Sequence, residues 1–256
     1  MNESKISNYK FLLAELVKKG IKLKYRRSYL GIVWSLIEPI LTTTIFVIVF
    51  GTLFHTNKQN YPLYIITGRL VYTFFSTGTS SVSHSIRQNM GMITKVSVPK
   101  ILYPFSALFY NFIITMISFL VLIGVFIYCK EEPTLHIFQI IPAIIILLIL
   151  TLGIGLILCT LHVYFRDVEY LWNAALLLIL YICAVFYYPD AILESKYAGI
   201  LLYNPLYQII KIARDALMGQ AFDFYAFNYS LIFSLVSLLV GLFIFNRHKD
   251  EFILHI

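Results

Sequence analysis

Six long apolar segments constrain the fold of this 256-residue chain more than any other feature. The hydrocarbon core of a membrane is about 30 Å thick, so a spanning helix needs roughly 20 apolar residues. Each segment reaches that length, and only Glu38 and Arg69 carry a formal charge inside them. The segments cover residues 30–54, 61–85, 101–129, 137–165, 170–189 and 224–246.

The amino-acid composition indicates the same class of protein. Charged residues make up 13% of the chain and hydrophobic residues 59%, whereas a soluble domain has about 25% charged residues. Most of the exterior must therefore face something other than water. The sequence predicts an all-α integral membrane protein, with one domain over 1–256 and a six-helix core over 30–246.

The distribution of lysine and arginine predicts the orientation. Fourteen of the 20 fall on the side of the two termini and of the 166–169 connection, and five fall on the other side. The positive-inside rule then places both termini, including the tail 247–256, in the cytoplasm. The net charge of +7 follows from this asymmetry, so we infer no nucleic-acid partner.

Two segments outside the apolar runs are also informative. Residues 1–28 repeat apolar side chains at helical spacing, which predicts an amphipathic helix at the cytoplasmic membrane surface, or else a plain topology signal. Residues 190–223 are apolar but interrupted by Asn204 and Pro205. They predict short re-entrant helices in the outer leaflet, or else an ordinary surface loop.

The sequence contains no motif for catalysis. GxxxxGK[ST], HExxH and GxSxG are all absent, so the chain lacks a phosphate-binding loop for ATP. The three cysteines and six histidines have no metal-ligand spacing and are interpreted as incidental. We therefore expect no enzymatic activity, no metal and no cofactor in this chain.

The two intramembrane charges require an explanation. A charged side chain in a span costs roughly 2.5–3.5 kcal/mol on insertion scales. Glu38 should therefore face a polar path or a polar contact between helices. Arg69 either lies on such a path or extends its guanidinium to the membrane surface. The two residues lie toward opposite ends of their spans, which argues against a mutual ion pair.

Aromatic side chains cluster in the outer halves of two predicted spans. Tyr72, Phe74 and Phe75 lie in the second, and Tyr181 and Tyr187 in the fifth. Such rings can stack on the apolar faces of sugars, which favours a carbohydrate path. An interfacial aromatic belt is the alternative.

Several stretches resemble one family in their order and spacing. The sequence YRRSYLGIVWSLIEPI resembles the first span in permease subunits of ABC-type polysaccharide exporters. YPLYIITGRLVYTFFSTGTSSV resembles their second span, and ITKVSVPKILYPFSAL their first cytoplasmic connection. LHVYFRDVEYL and YNPLYQII resemble the second cytoplasmic connection and the external Asn-Pro segment.

This resemblance implies a half-transporter in the bacterial inner membrane. It would form a homodimer and dock two ABC ATPase subunits, which would bind ATP and Mg²⁺. Relatives of this kind export O-antigen-type polysaccharide or teichoic acid carried on undecaprenyl diphosphate. An ABC exporter of a small molecule, such as a drug or antibiotic, and an ion-coupled carrier or membrane enzyme are the alternatives.

The resemblance also assigns roles to residues. Arg69 stands where an apolar residue is expected, which leaves contact with a substrate phosphate as one role for it. The residues expected to couple to the ATPase are Leu16, Lys19, Lys95, Pro99, Lys100, Arg166, Asp167 and Glu169. Those expected along the substrate path are Trp34, Glu38, Arg69, Tyr72, Phe74, Phe75, Tyr181 and Tyr187. The expected external gate comprises Tyr203, Asn204, Pro205 and Tyr207.

Overall fold

The structure is a computed structural model that describes residues 3–26, 28–53, 60–95 and 98–253. Every regular element within these ranges is a helix, which confirms the all-α class. Three short 3-10 turns accompany them, at Gly31–Val33, Leu135–Gln139 and Glu251–Ile253. The α-helices are α1 Glu3–Tyr25, α2 Trp34–Leu53, α3 Tyr61–Gln88, α4 Met90–Ile93, α5 Leu102–Tyr128, α6 Ile140–Tyr164, α7 Val168–Ile182, α8 Asp190–Leu193, α9 Ala198–Leu202, α10 Pro205–Leu217 and α11 Phe224–His248.

Four helical stretches among the described residues are long and apolar enough to cross a membrane. They are Gly31–Leu53, Leu102–Tyr128, Leu135–Tyr164 and Phe224–His248. They correspond to the first, third, fourth and sixth predicted spans. The second and fifth correspond to α3 and α7, which do not meet both criteria, so the count of six stays a prediction.

Helices α3 and α7 miss the criteria of length and hydropathy for different reasons. The 28 residues of α3 extend about 42 Å at 1.5 Å per residue, but one side of this helix is polar. Its apolar residues are buried against α5 and α6, so hydropathy alone does not identify it. Helix α7 ends at Ile182, before the predicted boundary at Pro189. There Ala184 adopts a positive φ of 49°, a conformation that interrupts a helix.

Helices α6 and α11 form the closest helix pair. A Cβ atom added to Gly153 would lie 2.5 Å from the backbone nitrogen of Leu238, and one added to Gly241 would lie 2.5 Å from the carbonyl oxygen of Gly153. Glycine is therefore required at both positions. Small residues let two helix backbones approach closely inside a membrane, where van der Waals packing drives helix association.

Helix α1 confirms the predicted N-terminal helix, but its apolar side packs on protein. Leu16 is buried in the main core, and Gly20 lies so close to Tyr110 of α5 that a Cβ atom would be 2.5 Å from the ring. Lys10, Lys18 and Lys22 are exposed on the other side. The helix is thus attached to α5 rather than held by lipid alone.

Residues 190–223 contain three helices, α8 to α10. Asn204 precedes α10, and its Oδ1 accepts hydrogen bonds from the backbone nitrogens of Leu206 (3.0 Å) and Tyr207 (3.4 Å). Pro205 occupies the first helical position, where its missing N–H costs nothing. The predicted break at Asn204 and Pro205 is therefore present, and 11 of the 13 residues of α10 are buried, with α3, α6 and α11 packed against the helix.

Candidate functional site

A stripe of polar side chains runs along α3. The chain places them three or four residues apart, so they share one side of the helix. Its members are Arg69, Thr73, Thr77, Ser80, His84 and Gln88. In a bundle that is otherwise apolar, such a stripe marks a hydrophilic interior or interface.

Two polar cavities lie along this stripe. The first, of about 140 Å³, is lined by Glu38 and Thr42 of α2 and by Arg69. The second, of about 630 Å³, is lined by 19 residues, of which nine are serines or amides, among them Ser76, Ser80, Ser81, Gln88, Asn89 and Asn173. Lys24, Thr77 and Asn111 line both cavities. The cavities therefore adjoin and form one polar path beside α3.

Glu38 and Arg69, which lie in different predicted spans, both line the first cavity. Arg69 donates from Nε to Oγ1 of Thr42 over 3.1 Å, and its Cζ lies 5.1 Å from the centre of the Phe46 ring. Glu38 lines the same cavity, yet no ion pair joins it to Arg69 among the described residues. As expected, the two residues form no salt bridge, although they do share a site.

The predicted aromatic path residues lie in two different environments. Phe74 and Phe75 are each 2% exposed, and they pack edge-on against Phe112 and Trp172 respectively. Tyr72 is also buried, and its hydroxyl donates to the carbonyl of Leu176 over 2.7 Å. In this chain these three rings fill the core and do not line the polar path, so their contact with a substrate stays a prediction.

The other aromatic candidates lie nearer the surface. Trp34 is exposed and lines the first cavity beside Glu38. Tyr181 is exposed, whereas Tyr187 is partly buried and donates from its hydroxyl to the Tyr181 carbonyl over 2.8 Å. Of the five predicted aromatic rings of the second and fifth spans, none lines either polar cavity.

The connection between α6 and α7 is tied to α3 through two histidines. His84 Nε2 lies 3.1 Å from Glu169 Oε2, and its Nδ1 lies 2.6 Å from the carbonyl oxygen of Ser80. The hydrogen bond from His84 holds the pKa of Glu169 below its ordinary value.

His162 lies beside this pair and is held by Arg87 and Ser83. Arg87 donates to its Nε2 over 2.8 Å, so that nitrogen carries a lone pair, and Nδ1–H donates to Ser83 over 3.1 Å. Ligand atoms of His84, His162 and Glu169 lie within 4.8 Å of one another, a spacing that a metal site would share. The three residues nevertheless fit a hydrogen-bond network better than a metal site. Arg87 donates to Nε2 of His162 and adds a positive charge that would repel a metal cation.

The sequence predicts no role for either histidine, so this network is not among its predictions. The pair is separated by 78 positions in the sequence, so no local motif reveals it. The position of His84 on the polar stripe of α3 was the one available signal.

The predicted coupling residues lie at one end of the bundle. Lys19 donates to Oδ1 of Asn89 over 3.0 Å, at the end of α3. Lys100 donates to the carbonyl of Lys249, which follows α11. Lys95, Pro99, Arg166 and Asp167 are exposed. A groove of about 600 Å³ lies between the α4–α5 connection and the end of α11. The structure thus brings these segments together on one surface, but Leu16 is buried in the main core and is not part of it. The contact of the other residues with a partner stays a prediction.

At the opposite end, a buried arginine joins three elements. Arg214 of α10 is 5% exposed. It donates to the carbonyls of Tyr64 (3.2 Å), Ala184 (3.1 Å) and Val185 (3.1 Å). Its Cζ also lies 3.4 Å from the centre of the Tyr64 ring. Arg214 therefore fixes α10 to α3 and to the chain that follows α7, a role the sequence analysis did not assign.

The predicted gate residues surround the start of α10. Tyr207 is buried, Asn204 and Pro205 are partly buried, and Tyr203 is exposed. The Tyr203 carbonyl accepts a hydrogen bond from the Tyr229 hydroxyl over 2.8 Å. These contacts place the four residues between α9 and α11, where their gating role stays a prediction.

Long apolar helices around an internal polar path define a multi-pass membrane protein of the transporter class. Over residues 12–218 the chain matches the ABC-2 type transporter family. The chain belongs to this family, which confirms the resemblance drawn from its motifs.

Three relatives show which branch of the family the chain resembles. It is 29% identical to the O-antigen export system permease protein RfbA of Klebsiella pneumoniae over 242 residues, 94% of this chain and 93% of that protein. It is 27% identical to RfbA of Myxococcus xanthus over 203 residues, 79% of this chain and 78% of that protein. It is 25% identical to the polysialic acid transport protein KpsM of Escherichia coli over 245 residues, 94% of this chain and 95% of that protein.

Proposed function

We propose that this chain is the membrane subunit of an ATP-driven polysaccharide exporter in the bacterial inner membrane. Two copies form the path, and two separate ABC ATPase subunits bind ATP and Mg²⁺. The substrate is a glycan carried on undecaprenyl diphosphate, of O-antigen or teichoic-acid type, and it moves outward from the cytoplasmic side. The observation that carries this proposal is the hydroxyl- and amide-lined path beside α3 in a chain similar to two polysaccharide export permeases over nearly its full length.

The composition of the path suits a carbohydrate. Serine, threonine and amide side chains both donate and accept hydrogen bonds, so they can pair with sugar hydroxyls in many orientations. An apolar drug would leave these polar groups without hydrogen-bond partners. The path is therefore better matched to a hydrated glycan than to a small apolar molecule.

The exposed surface of α2 supports a homodimer. Only 11% of the most apolar 18-residue stretch within Gly31–Leu53 is buried inside the chain. Glu38, which lies on this helix, is exposed. A carboxylate facing lipid is costly. A second copy that covers α2 would place Glu38 beside an aqueous path rather than beside acyl chains.

The contacts at the two ends of α3 suggest how the ATPases drive transport. At one end Glu169 and His84 join the α6–α7 connection to α3. At the other end Arg214 joins α3 to α10. A push on the exposed Arg166 and Asp167 is thereby transmitted along α3 to the external helices, which then open.

Complementation tests this function. The chain and its ATPase are expressed in a strain that synthesises a lipid-linked glycan but lacks its own exporter, and surface glycan is quantified with a specific antibody. Surface glycan should appear with the intact pair and vanish when the phosphate-binding lysine of the ATPase is replaced. Absence of surface glycan despite an assembled complex, or export without ATPase activity, would contradict the proposal.

A further inference from the structure

The first cavity beside α3 has an excess of positive charge. Lys24 and Arg69 line it together with one carboxylate, that of Glu38. We propose that this cavity binds an oxyanion, a carboxylate or phosphate substituent carried on the sugars of the transported glycan. The inference rests on the proposed export function and specifies its substrate as an acidic polymer.

The guanidinium of Arg69 is oriented but not satisfied. The Thr42 hydroxyl donates to the carbonyl oxygen of Glu38 over 2.7 Å and accepts from Arg69 Nε over 3.1 Å. The ring of Phe46 lies against the same group, 5.1 Å from Cζ. Among the described residues, neither Nη1 nor Nη2 donates a hydrogen bond to protein. Two parallel N–H donors therefore remain available in the cavity.

This geometry selects an oxyanion over the other ligands that the cavity could hold. A planar guanidinium fork matches the two oxygens of a carboxylate or phosphate in a bidentate contact. A metal cation would be attracted by Glu38 but repelled by Lys24 and Arg69. A neutral sugar would leave the two positive charges of Lys24 and Arg69 balanced only by Glu38, which is a costly arrangement in a membrane.

Glu38 helps to release the bound oxyanion from Arg69. A translocation site must bind its ligand weakly enough to let it move on. The Glu38 carboxylate shares the cavity with Arg69 and competes for the guanidinium whenever the glycan advances. Thr73 and Asn111 of the same lining offer hydrogen bonds to the ring hydroxyls that flank the charged group.

The test compares two glycans with the complete transporter. Cells that express the chain with its ATPase synthesise either a glucuronate-containing glycan or its neutral counterpart, and surface glycan is measured for each. In Arg69→Gln we expect export of the acidic glycan to fall at least tenfold more than export of the neutral glycan, because a charge-assisted hydrogen-bond pair is lost. Arg69→Lys, which keeps the charge but not the fork, should give an intermediate value.

Lys196→Gln is the matched control, since it removes one exposed positive charge outside the path and should change neither export. Equal loss of both glycans in Arg69→Gln, or loss of neither, would overturn the inference. So would a wild-type complex that exports only the neutral glycan. A wild-type complex that assembles but exports neither glycan would instead refute the proposed function.

Binding to the purified full-length permease gives an independent readout. Microscale thermophoresis with a glucuronate trisaccharide should show saturable binding that salt weakens and that Arg69→Gln reduces at least tenfold. Maltotriose, the neutral probe, should bind less tightly and be unaffected by the substitution. Geranyl diphosphate separates the two sources of an oxyanion. If it binds through Arg69 and the uronate does not, the charge belongs to the lipid carrier and the glycan assignment is wrong.

Discussion

Replacing Arg214 with methionine removes the contact between α10 and its neighbours while preserving most of the side-chain volume. The carbonyls of Tyr64, Ala184 and Val185 would each lose a hydrogen-bond donor. A buried acceptor left without a donor costs about 1–3 kcal/mol. This applies to the Val185 carbonyl, whereas the Ala184 carbonyl keeps the Tyr64 hydroxyl at 3.5 Å and the Tyr64 carbonyl lies within α3. We expect a net destabilisation of about 1–3 kcal/mol.

Thermal unfolding of the detergent-solubilised permease measures this effect. For a chain of this size 1 kcal/mol shifts Tm by roughly 2–4 °C, so Arg214→Met should lower Tm by roughly 5 °C. Arg166→Met is the matched control, because Arg166 is exposed and should change Tm by about 1 °C or less. An unchanged Tm in Arg214→Met would refute the argument that this side chain holds the external helices in place.

Three further predictions follow from the same structure. Burial raises the pKa of Asp215 from 3.8 to about 6. The neutral Asp215 carboxyl group therefore makes its full contribution to the free energy of unfolding below pH 4, and this contribution is lost as the pH rises through 6. Asp215→Asn should therefore match the wild type near pH 3, be about 1 kcal/mol more stable at pH 4.5 and be up to about 3 kcal/mol more stable at pH 8; equal Tm differences at pH 4.5 and pH 8 would contradict this. Replacing both Arg166 and Asp167 with alanine should leave Tm unchanged but lower glycan-stimulated ATPase activity at least fivefold; normal stimulation would remove them from the coupling surface. Phe75→Ala should cost about 3–5 kcal/mol as a core truncation, while Phe75→Leu should retain export; lost export in Phe75→Leu with a normal Tm would return this ring to the substrate path.

The sequence predicted the helices that face lipid and missed the contacts that join them. Four of its six apolar segments coincide with helices that are long and apolar enough to span a membrane, because the cost of burying a backbone in hydrocarbon leaves a strong local signal. Helix α3 gives a weaker signal because its neighbours, not lipid, cover it. Hydropathy measures transfer to lipid and says little about a helix buried in protein.

The candidate site shows the same limit. The polar stripe on α3 is a helical period that the sequence displays. The partners of Arg214, in contrast, lie 29, 30 and 150 positions away, and those of His162 lie 79 and 75 positions away. No composition or spacing rule connects residues so far apart. Arg214 was therefore counted as one positive charge in an external loop, although it is buried at a junction of three elements.

The early end of α7 depends on the same long-range contact. The carbonyl oxygens of Ala184 and Val185 leave the helix and are satisfied by Arg214, which makes a break possible without unpaired acceptors. From the apolar run 170–189 alone, a continuous helix is the expected result. The difference arises from tertiary packing and not from any residue within the run.

Transport by the reconstituted complex tests the central claim most directly. The permease and its ATPase are incorporated into liposomes, and vesicles with the ATPase outside receive lipid-linked glycan and ATP. The account predicts that glycan becomes protected from an added glycosidase in an ATP-dependent manner, and that a hydrolysis-deficient ATPase abolishes this protection. Glycan that stays fully accessible with an active ATPase, or that enters along an ion gradient without the ATPase, would contradict it.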